Sequence, residues 1–481
     1  MISFLIGLFI LVVGGFLYGK LCEKIFRPDN RPTPAETDAD GVDYVALPKW
    51  KNCLVQLLNI AGTGPVLGPI QGALFGPIAF ITIPVGCILG GAMHDYMIGM
   101  ISVRNDGNQM PGLVRKYLGK NAGKLFTCFI LLVLILVSAV FIYTPGDLIA
   151  ASFAGGSDPA NVWLWVIYGV IFLYYVIATV FPFDKIIGRI YPFFGAVLLL
   201  SAVGVLAGIL LKGYPLTEIW NMPDLLHAHP LKQNFFPVFF VTVSCGILSG
   251  FHTTQTTLVS RTLKKEKDGR AVFYSMMIVE GVVAMIWAAA AMGVYNMRLA
   301  DASVQAVSVL NVICGDFLGP VGGMVALLGV VVLAVTSGDT ALRSARLAAA
   351  ESFHIPQEKP VQRMLLSAAL ASVVAALLVF AKVNAEGFSL LWRYFGWCNQ
   401  VAAVAAFAVI TVYLKGTRGK YAISMIPGAF YTAVTVDYIL TAPIGFRMSE
   451  TAGHIIGIAF AIAFLFMTAF VKSKPDAENR L

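Results

Sequence analysis

The chain has 481 residues, 58% hydrophobic and only 12% charged. A soluble globular protein carries about 25% charged residues and could not cover its surface with half that. A mean hydropathy of +0.80 and recurring apolar runs of about 20 residues give an all-α polytopic membrane protein instead.

The first apolar run, residues 2–19, has no basic residue before it and Lys20, Lys24 and Arg27 after it. That is the reverse of a secretory signal peptide, so the sequence predicts a retained helix with its N-terminus outside. Residues 20–52 form the one long polar stretch, rich in Pro, Asp and Thr, and read as a cytoplasmic loop. Further spans are expected at 53–76, 77–103, 125–145, 161–181, 187–211, 235–260, 271–297, 318–342, 363–382, 389–413, 420–441 and 452–472, thirteen with the first. Short amphipathic stretches interrupt them near 109–119 and at 302–317.

Charge tests this threading. Of the 34 Lys and Arg residues, only Lys212, Lys232, Arg298, Lys382, Arg393 and Arg447 then fall at or near the outer face. Positive charge resists translocation, so the asymmetry supports an N-terminus outside and a C-terminus in the cytoplasm. The formal charge of +8 is therefore a topology signal and does not point to nucleic acid. The seven cysteines form no CxxC pair and lie mostly in apolar segments, where they read as small hydrophobes.

Two spans cannot be unbroken helices. NIAGTGPVLGPIQGALFGP at 59–77 holds five glycines and three prolines, each unfavourable in a helix interior. Its Gly62, Thr63, Gly64 and Pro65 predict a break, with Pro65 opening the restarted half-helix. Gly68, Gly72 and Gly76, four residues apart, predict close helix packing. The second interrupted span, 235–260, is polar and glycine-containing at Ser249, Gly250, Phe251, His252, Thr253, Thr254 and Gln255. The breaks are five spans apart, so two five-helix units would have opposite orientations, the pattern that marks a transporter's midplane site. Exposed half-helix N-termini there suit a carboxylate, and the facing carbonyls suit a cation.

NIAGTGPVLGPI, GAMHDYMIGMISVRNDG, SGFHTTQTTLVSR, GRAVFYSMMIVEGVVAMIWAAAA, LAVTSGDTALRSAR and LLWRYFGWCNQ together resemble the carbon starvation protein A family over roughly residues 50–413. The resemblance implies prokaryotic inner-membrane carriers for peptides or pyruvate, within the amino acid–polyamine–organocation superfamily. It also implies a five-plus-five inverted-repeat fold. Here that means a leading helix at 1–19, repeats at 53–211 and 235–413, and two trailing helices within 420–472. His94 stands where some members have Gln, and the chain is shorter than the long members.

Ionisable residues at membrane depth are functional candidates by default. His94 and Asp95 are adjacent, about 100° apart on a helix, so they are not expected to be a ready-made pair; either could relay a proton or bond a neighbouring helix. His252 in the second break and Glu280 in an apolar span are further coupling candidates. In the fold that the resemblance implies, the hydroxyls of Thr336 and Ser337 with the carbonyls of Ile60 and Ala61 would form a sodium site. Back-bonding to the preceding turn is the alternative for those hydroxyls. Asp339 is a further coupling candidate, although its i,i+4 spacing to Arg343 also suits a structural ion pair, and Asn399 and Gln400 are deep enough to face a cavity. Trp392, Arg393, Tyr394 and Trp397 read as interfacial anchors, His227 and His229 as incidental, and Asp437 as structural.

These readings give an ion-coupled secondary carrier with its substrate site at Asn59, Gly62, Thr63, Gly64, Ser249, Gly250, Phe251, His252, Thr253 and Asn399. The coupling ion is H+ or Na+, no cofactor is expected, and the partners are the lipid bilayer and a small substrate: pyruvate, a peptide or an amino acid. The absence of HExxH and GxSxG argues against an enzyme. A channel is the competing class, since broken helices also build selectivity filters. Substrate, ion and oligomeric state stay open at this stage.

Overall fold

The structure, a computed structural model, describes residues 1–180, 183–357, 359–384 and 386–471; the expected span ends at 181 and 472 lie outside them. Among the described residues it is helical throughout, and 11 helices are long and apolar enough to cross a membrane. The leading helix α1 (Ile2–Phe26) runs past Lys20, because its charges lie on surface turns beyond the apolar stretch.

The first interrupted span is α2 (Lys49–Ile60), a break at 61–63, and α3 (Gly64–Gly72), with Pro65 in the first turn of the restart. Gly76 then has φ 80 and ψ −162, so it is a backbone kink between spans and not the packing contact expected of it. Gly68 and Gly72 do pack closely: a Cβ there would lie 2.7 Å from the Thr242 carbonyl and 2.4 Å from Val243 Cγ2. The chain continues through α4 (Met93–Val103), α5 (Lys120–Phe153), α6 (Val162–Val180) and α7 (Phe183–Lys212). A short amphipathic helix, Met110–Leu118, stands before α5.

The second interrupted span comprises short helical pieces at Phe240–Thr242 and Ser244–Ile247, an extended Leu248, and α8 (Phe251–Val259). Next come α9 (Ser275–Asn296) and α10 (Ala306–Phe353). The amphipathic stretch expected at 302–317 is continuous with α10 and set off only by a kink at Gly319, φ 68, before Pro320. The last helices are α11 (Pro360–Val383), α12 (Gly387–Gly416), α13 (Ala422–Thr441) and α14 (Glu450–Phe470). The sequence predicts thirteen spans; the two interrupted ones are too fragmented to rank as single long helices among these 11.

The breaks lie side by side. α3 packs on the 244–247 piece and α2 on α8, so the first half of each broken span meets the second half of the other. The two therefore run antiparallel. α5 lies along α10, and α13 and α14 form a hairpin beside α12.

Candidate functional site

Each break frees backbone groups, which must find partners where water is scarce. At the second, the Gly250 amide donates to the Asn399 carbonyl at 3.0 Å, and Gln400 Nε2 donates to the carbonyls of Phe240 and Leu248, both at 3.0 Å. α12 thus holds the second break open. At the first, the Gly62 amide turns to Ile60, which frees the Leu58 carbonyl. Ser337 Oγ donates to it at 3.0 Å and Thr336 Oγ1 lies 3.5 Å away, closer to its own preceding turn at Val332, 2.9 Å. The hydroxyls expected at a sodium site do reach the break, but they meet Leu58 and not Ile60 or Ala61. A single carbonyl with two hydroxyls is fewer oxygens than a hard cation takes.

Four ionisable side chains converge from three helices, all fully buried. His252 Nδ1 lies 3.0 Å from Asp95 Oδ2, His94 Nδ1 2.8 Å from Asp95 Oδ1, and His252 Nε2 3.7 Å from Glu280 Oε2. The expectation that His94 and Asp95 do not pair was wrong. Their Cβ directions diverge, but both side chains are long enough to meet around the helix. Asp95 accepts from both rings, which holds His252 with its second nitrogen toward Glu280. The 3.7 Å gap to Glu280 is longer than a hydrogen bond, and neither His252 Nε2 nor either Glu280 oxygen has a hydrogen-bond partner among the described residues.

Asn59, Thr63 and Asn399 are fully buried, and none of their side-chain N or O atoms has a hydrogen-bond partner among the described residues. The same holds for Gln56, which sequence reasoning missed. Leaving a buried polar group unpaired costs about 1–3 kcal/mol, so such a set marks a place for a polar ligand or water. A legible signal existed: Asn52, Gln56, Asn59 and Thr63 are spaced i, i+4, i+7, i+11, a polar stripe on one helix face. Ser249 and Thr253 are buried beside it, Thr253 Oγ1 donating to the Gly250 carbonyl at 2.7 Å.

A cavity of about 670 Å³ opens from one end of the bundle and reaches down to Gly64, Ser244, Cys245 and Phe395, with Trp392, Arg393, His229 and His454 on its walls. His229, read as incidental, lines it and lies against Phe75 with ring centroids 4.5 Å apart. The aromatic anchors turn inward as well: Trp397 Nε1 donates to Thr435 O at 2.9 Å and Tyr394 Oη to Ile444 O at 3.1 Å. Phe141 stands between floor and breaks, its ring 5.9 Å from Phe395 and 6.1 Å from Phe251. A Cβ on Gly62 would lie 2.5 Å from that ring.

The opposite end is closed. The polar stretch 27–48 folds over it: Asp43 pairs with Arg343 at 3.0 Å and Arg346 at 3.2 Å, and Leu47 N donates to Thr262 O at 3.0 Å. Arg261 pairs with Glu351, and Arg104 with Glu266 at 2.6 Å. Burial pushes the Asp43 carboxyl up, but the neighbouring guanidinium groups of Arg346 and Arg343 outweigh it and hold it at about 2, ionised at any physiological pH. Arg343, expected to pair with Asp339, is thus engaged by the loop, while Asp339 accepts from Tyr174 at 2.6 Å. Asp437 bonds His454 on the neighbouring trailing helix.

Residues 1–158, 149–312 and 301–437 match the family described as carbon starvation protein CstA. The chain belongs to this family. A Haemophilus influenzae membrane protein is 39% identical over 359 residues, 65% of the chain and 96% of that protein. The CstA-family chain is 26% identical over 318 residues to the Helicobacter pylori peptide transporter CstA and 26% over 322 residues to the Escherichia coli pyruvate/proton symporter BtsT. Those matches take in 54% and 55% of the chain, and only 46% and 45% of the two transporters. The Eremococcus coleocola manganese transporter superposes with a TM-score of 0.57 at 11% identity, covering 90% of this chain and 98% of that one. That likeness shows a shared fold. Among the described residues, no group of three His, Cys, Asp or Glu is arranged to hold a metal ion.

Proposed function

We propose that this chain is a proton-coupled secondary carrier that imports a small carboxylate-bearing nutrient, pyruvate or a short peptide, by alternating access. The observation that carries this reading is the buried series His94, Asp95, His252 and Glu280, whose member His252 lies in the first turn of α8 at the second of two antiparallel breaks. Titratable groups threaded into a break couple proton movement to the conformation of the site. The names of the relatives, a peptide transporter and a pyruvate/proton symporter, support the same substrate classes.

The breaks are the matched discontinuous helices of two inverted five-helix repeats within thirteen spans. Terminus placement supports an odd count: the N-terminal amine pairs with Glu218 at the cavity end, and Lys415 Nζ donates to Val471 O at 3.0 Å at the closed end. The basic clusters gather at the closed end, which supports its being cytoplasmic. Substrate enters the outer cavity, passes Phe141, and is held by Asn59, Thr63 and Asn399. Release then requires the latch of Asp43 on Arg343 and Arg346 to open. Sodium coupling of an amino-acid carrier is the second reading; it rests on the two hydroxyls at the freed Leu58 carbonyl, which would need further oxygens to complete a cation site.

Uptake of labelled pyruvate and of labelled dialanine into proteoliposomes, under a proton or a sodium gradient imposed separately, tests this. Proton-driven, saturable uptake with counterflow is expected. Sodium-driven flux would replace the relay with the Leu58 site, and non-saturable flux would mean a channel.

The latch makes its own prediction. Asp43→Ala removes the carboxylate that Arg343 and Arg346 share, at a cost of about 3–5 kcal/mol to the closed end. Cys245, on the cavity wall, reports the outcome once the remaining cysteines are replaced. Its labelling by a membrane-impermeant maleimide should fall at least about tenfold as the population shifts. Labelling at the wild-type rate would show that the pair does not hold this state.

A further inference from the structure

We propose that Arg393 is the capture point for the substrate carboxylate at the mouth of the cavity, a first binding station separate from the buried site at the breaks. This rests on the transporter reading above and assigns Arg393, which the sequence pattern offered as an interfacial anchor, a role in recognition.

Arg393 is exposed on the cavity wall, and its guanidinium makes no hydrogen bond or ion pair with any described residue. That sets it apart from the other arginines along the route: Arg104, Arg261, Arg343 and Arg346 are each engaged by a carboxylate at the closed end. The planar guanidinium takes a carboxylate through two parallel hydrogen bonds, a geometry that a lysine cannot reproduce.

The cavity's other charges agree. Lys232 adds a second cation, and among the described residues the one carboxylate on the wall, Glu450, lies in the first turn of α14, where the helix N-terminus already compensates it. A cleft lined by one sign of charge between low-dielectric walls concentrates the opposite ion. At the floor the cavity reaches Gly64, the first residue of α3, so an anion is favoured at both mouth and floor. Between them α12 supplies the guide: Arg393, Gly396 and Gln400 are spaced i, i+3, i+7 on one face, Gly396 lines the cavity, and Gln400 bonds the second break.

The ligand chemistry is therefore a monocarboxylate, which a 2-oxo acid and the C-terminus of a peptide share. Equilibrium titration of the purified full chain with dialanine, with its C-terminal amide and with pyruvate separates the carboxylate from the rest of the ligand. Wild type should bind dialanine about tenfold more tightly than the amide, the effect of one charge-assisted contact in a partly wet cleft. Arg393→Gln should remove most of that preference and weaken pyruvate by a similar factor, while Arg393→Lys keeps part of both. In proteoliposomes the same Gln variant should raise KM with little change in the maximal rate.

An unchanged preference in Arg393→Gln, or wild-type binding that ignores the carboxylate or is absent for all three ligands, overturns the capture site. If the preference is present and depends on Arg393 but the wild-type chain moves no substrate, the carrier reading falls and the capture site stands. If the chain carries substrate and Arg393→Gln behaves as wild type, only the capture site falls.

Discussion

Asp95→Asn should abolish accumulation of substrate against its gradient while leaving substrate exchange across the membrane intact. Asp95 is fully buried and accepts from His94 at 2.8 Å and His252 at 3.0 Å. Asparagine can still accept from one ring through its carbonyl, so the helices stay in place, but it cannot hold a negative charge against an imidazolium. His252 then loses the partner that orients it toward Glu280. A membrane potential of 100 mV is worth about 2.3 kcal/mol per charge, which lets symport of one proton with a zwitterionic dipeptide hold roughly a fifty-fold gradient; with the pyruvate anion the charges cancel and only the pH gradient drives accumulation. The variant should hold none. The measurement is uphill uptake into proteoliposomes beside counterflow at equal substrate. Glu280→Gln should behave alike, because it removes the far end of the same relay. Wild-type accumulation by both variants would move the coupling elsewhere.

Gly250→Ala should destroy uptake although it adds one methyl group. A Cβ there would lie 2.1 Å from the Asn399 carbonyl oxygen and 2.4 Å from the Ala403 amide nitrogen. Both obstacles are backbone of α12, which cannot rotate away, and the Gly250 amide must stay within 3.0 Å of that same carbonyl. Overpacking of this kind costs about 1–3 kcal/mol or more, here at the point that fixes the second break. The contrast is Gly62→Ala, where the obstacle is the Phe141 ring. A ring can be trimmed, so Gly62→Ala with Phe141→Ala should recover uptake that Gly62→Ala loses. No trimming of the Ala402 side chain should rescue Gly250→Ala. Uptake and thermal unfolding of the four proteins together check the pair of expectations, and an active Gly250→Ala would mean that the break does not depend on close approach to α12.

Composition and local pattern made the membrane class, the two interrupted spans and the family legible in the sequence. Those are properties of the chain read a few residues at a time: charge is too scarce for a wet surface, and Gly62-Thr63-Gly64-Pro65 cannot continue a helix wherever it is placed. Asn59, Thr63 and Asn399 were also singled out this way, as polar residues in apolar frames, and the fold buries them without hydrogen-bond partners among the described residues. What faces what was decided only in three dimensions. Asp95 and His252 stand 157 residues apart in the chain, and no local pattern says that their helices touch. Gln56 shares a polar stripe with Asn59, but only the fold shows that it is buried without a partner among the described residues. The carbonyl taken up by Ser337 turned out to be Leu58, because the turn at Gly62 decides which oxygen loses its donor. Asp43, in a stretch that reads as a solvated loop, proved buried beneath two arginines. A break in a helix is set by covalent chemistry and is written in sequence; the partners that a break acquires are set by packing, and packing is a property of the whole fold.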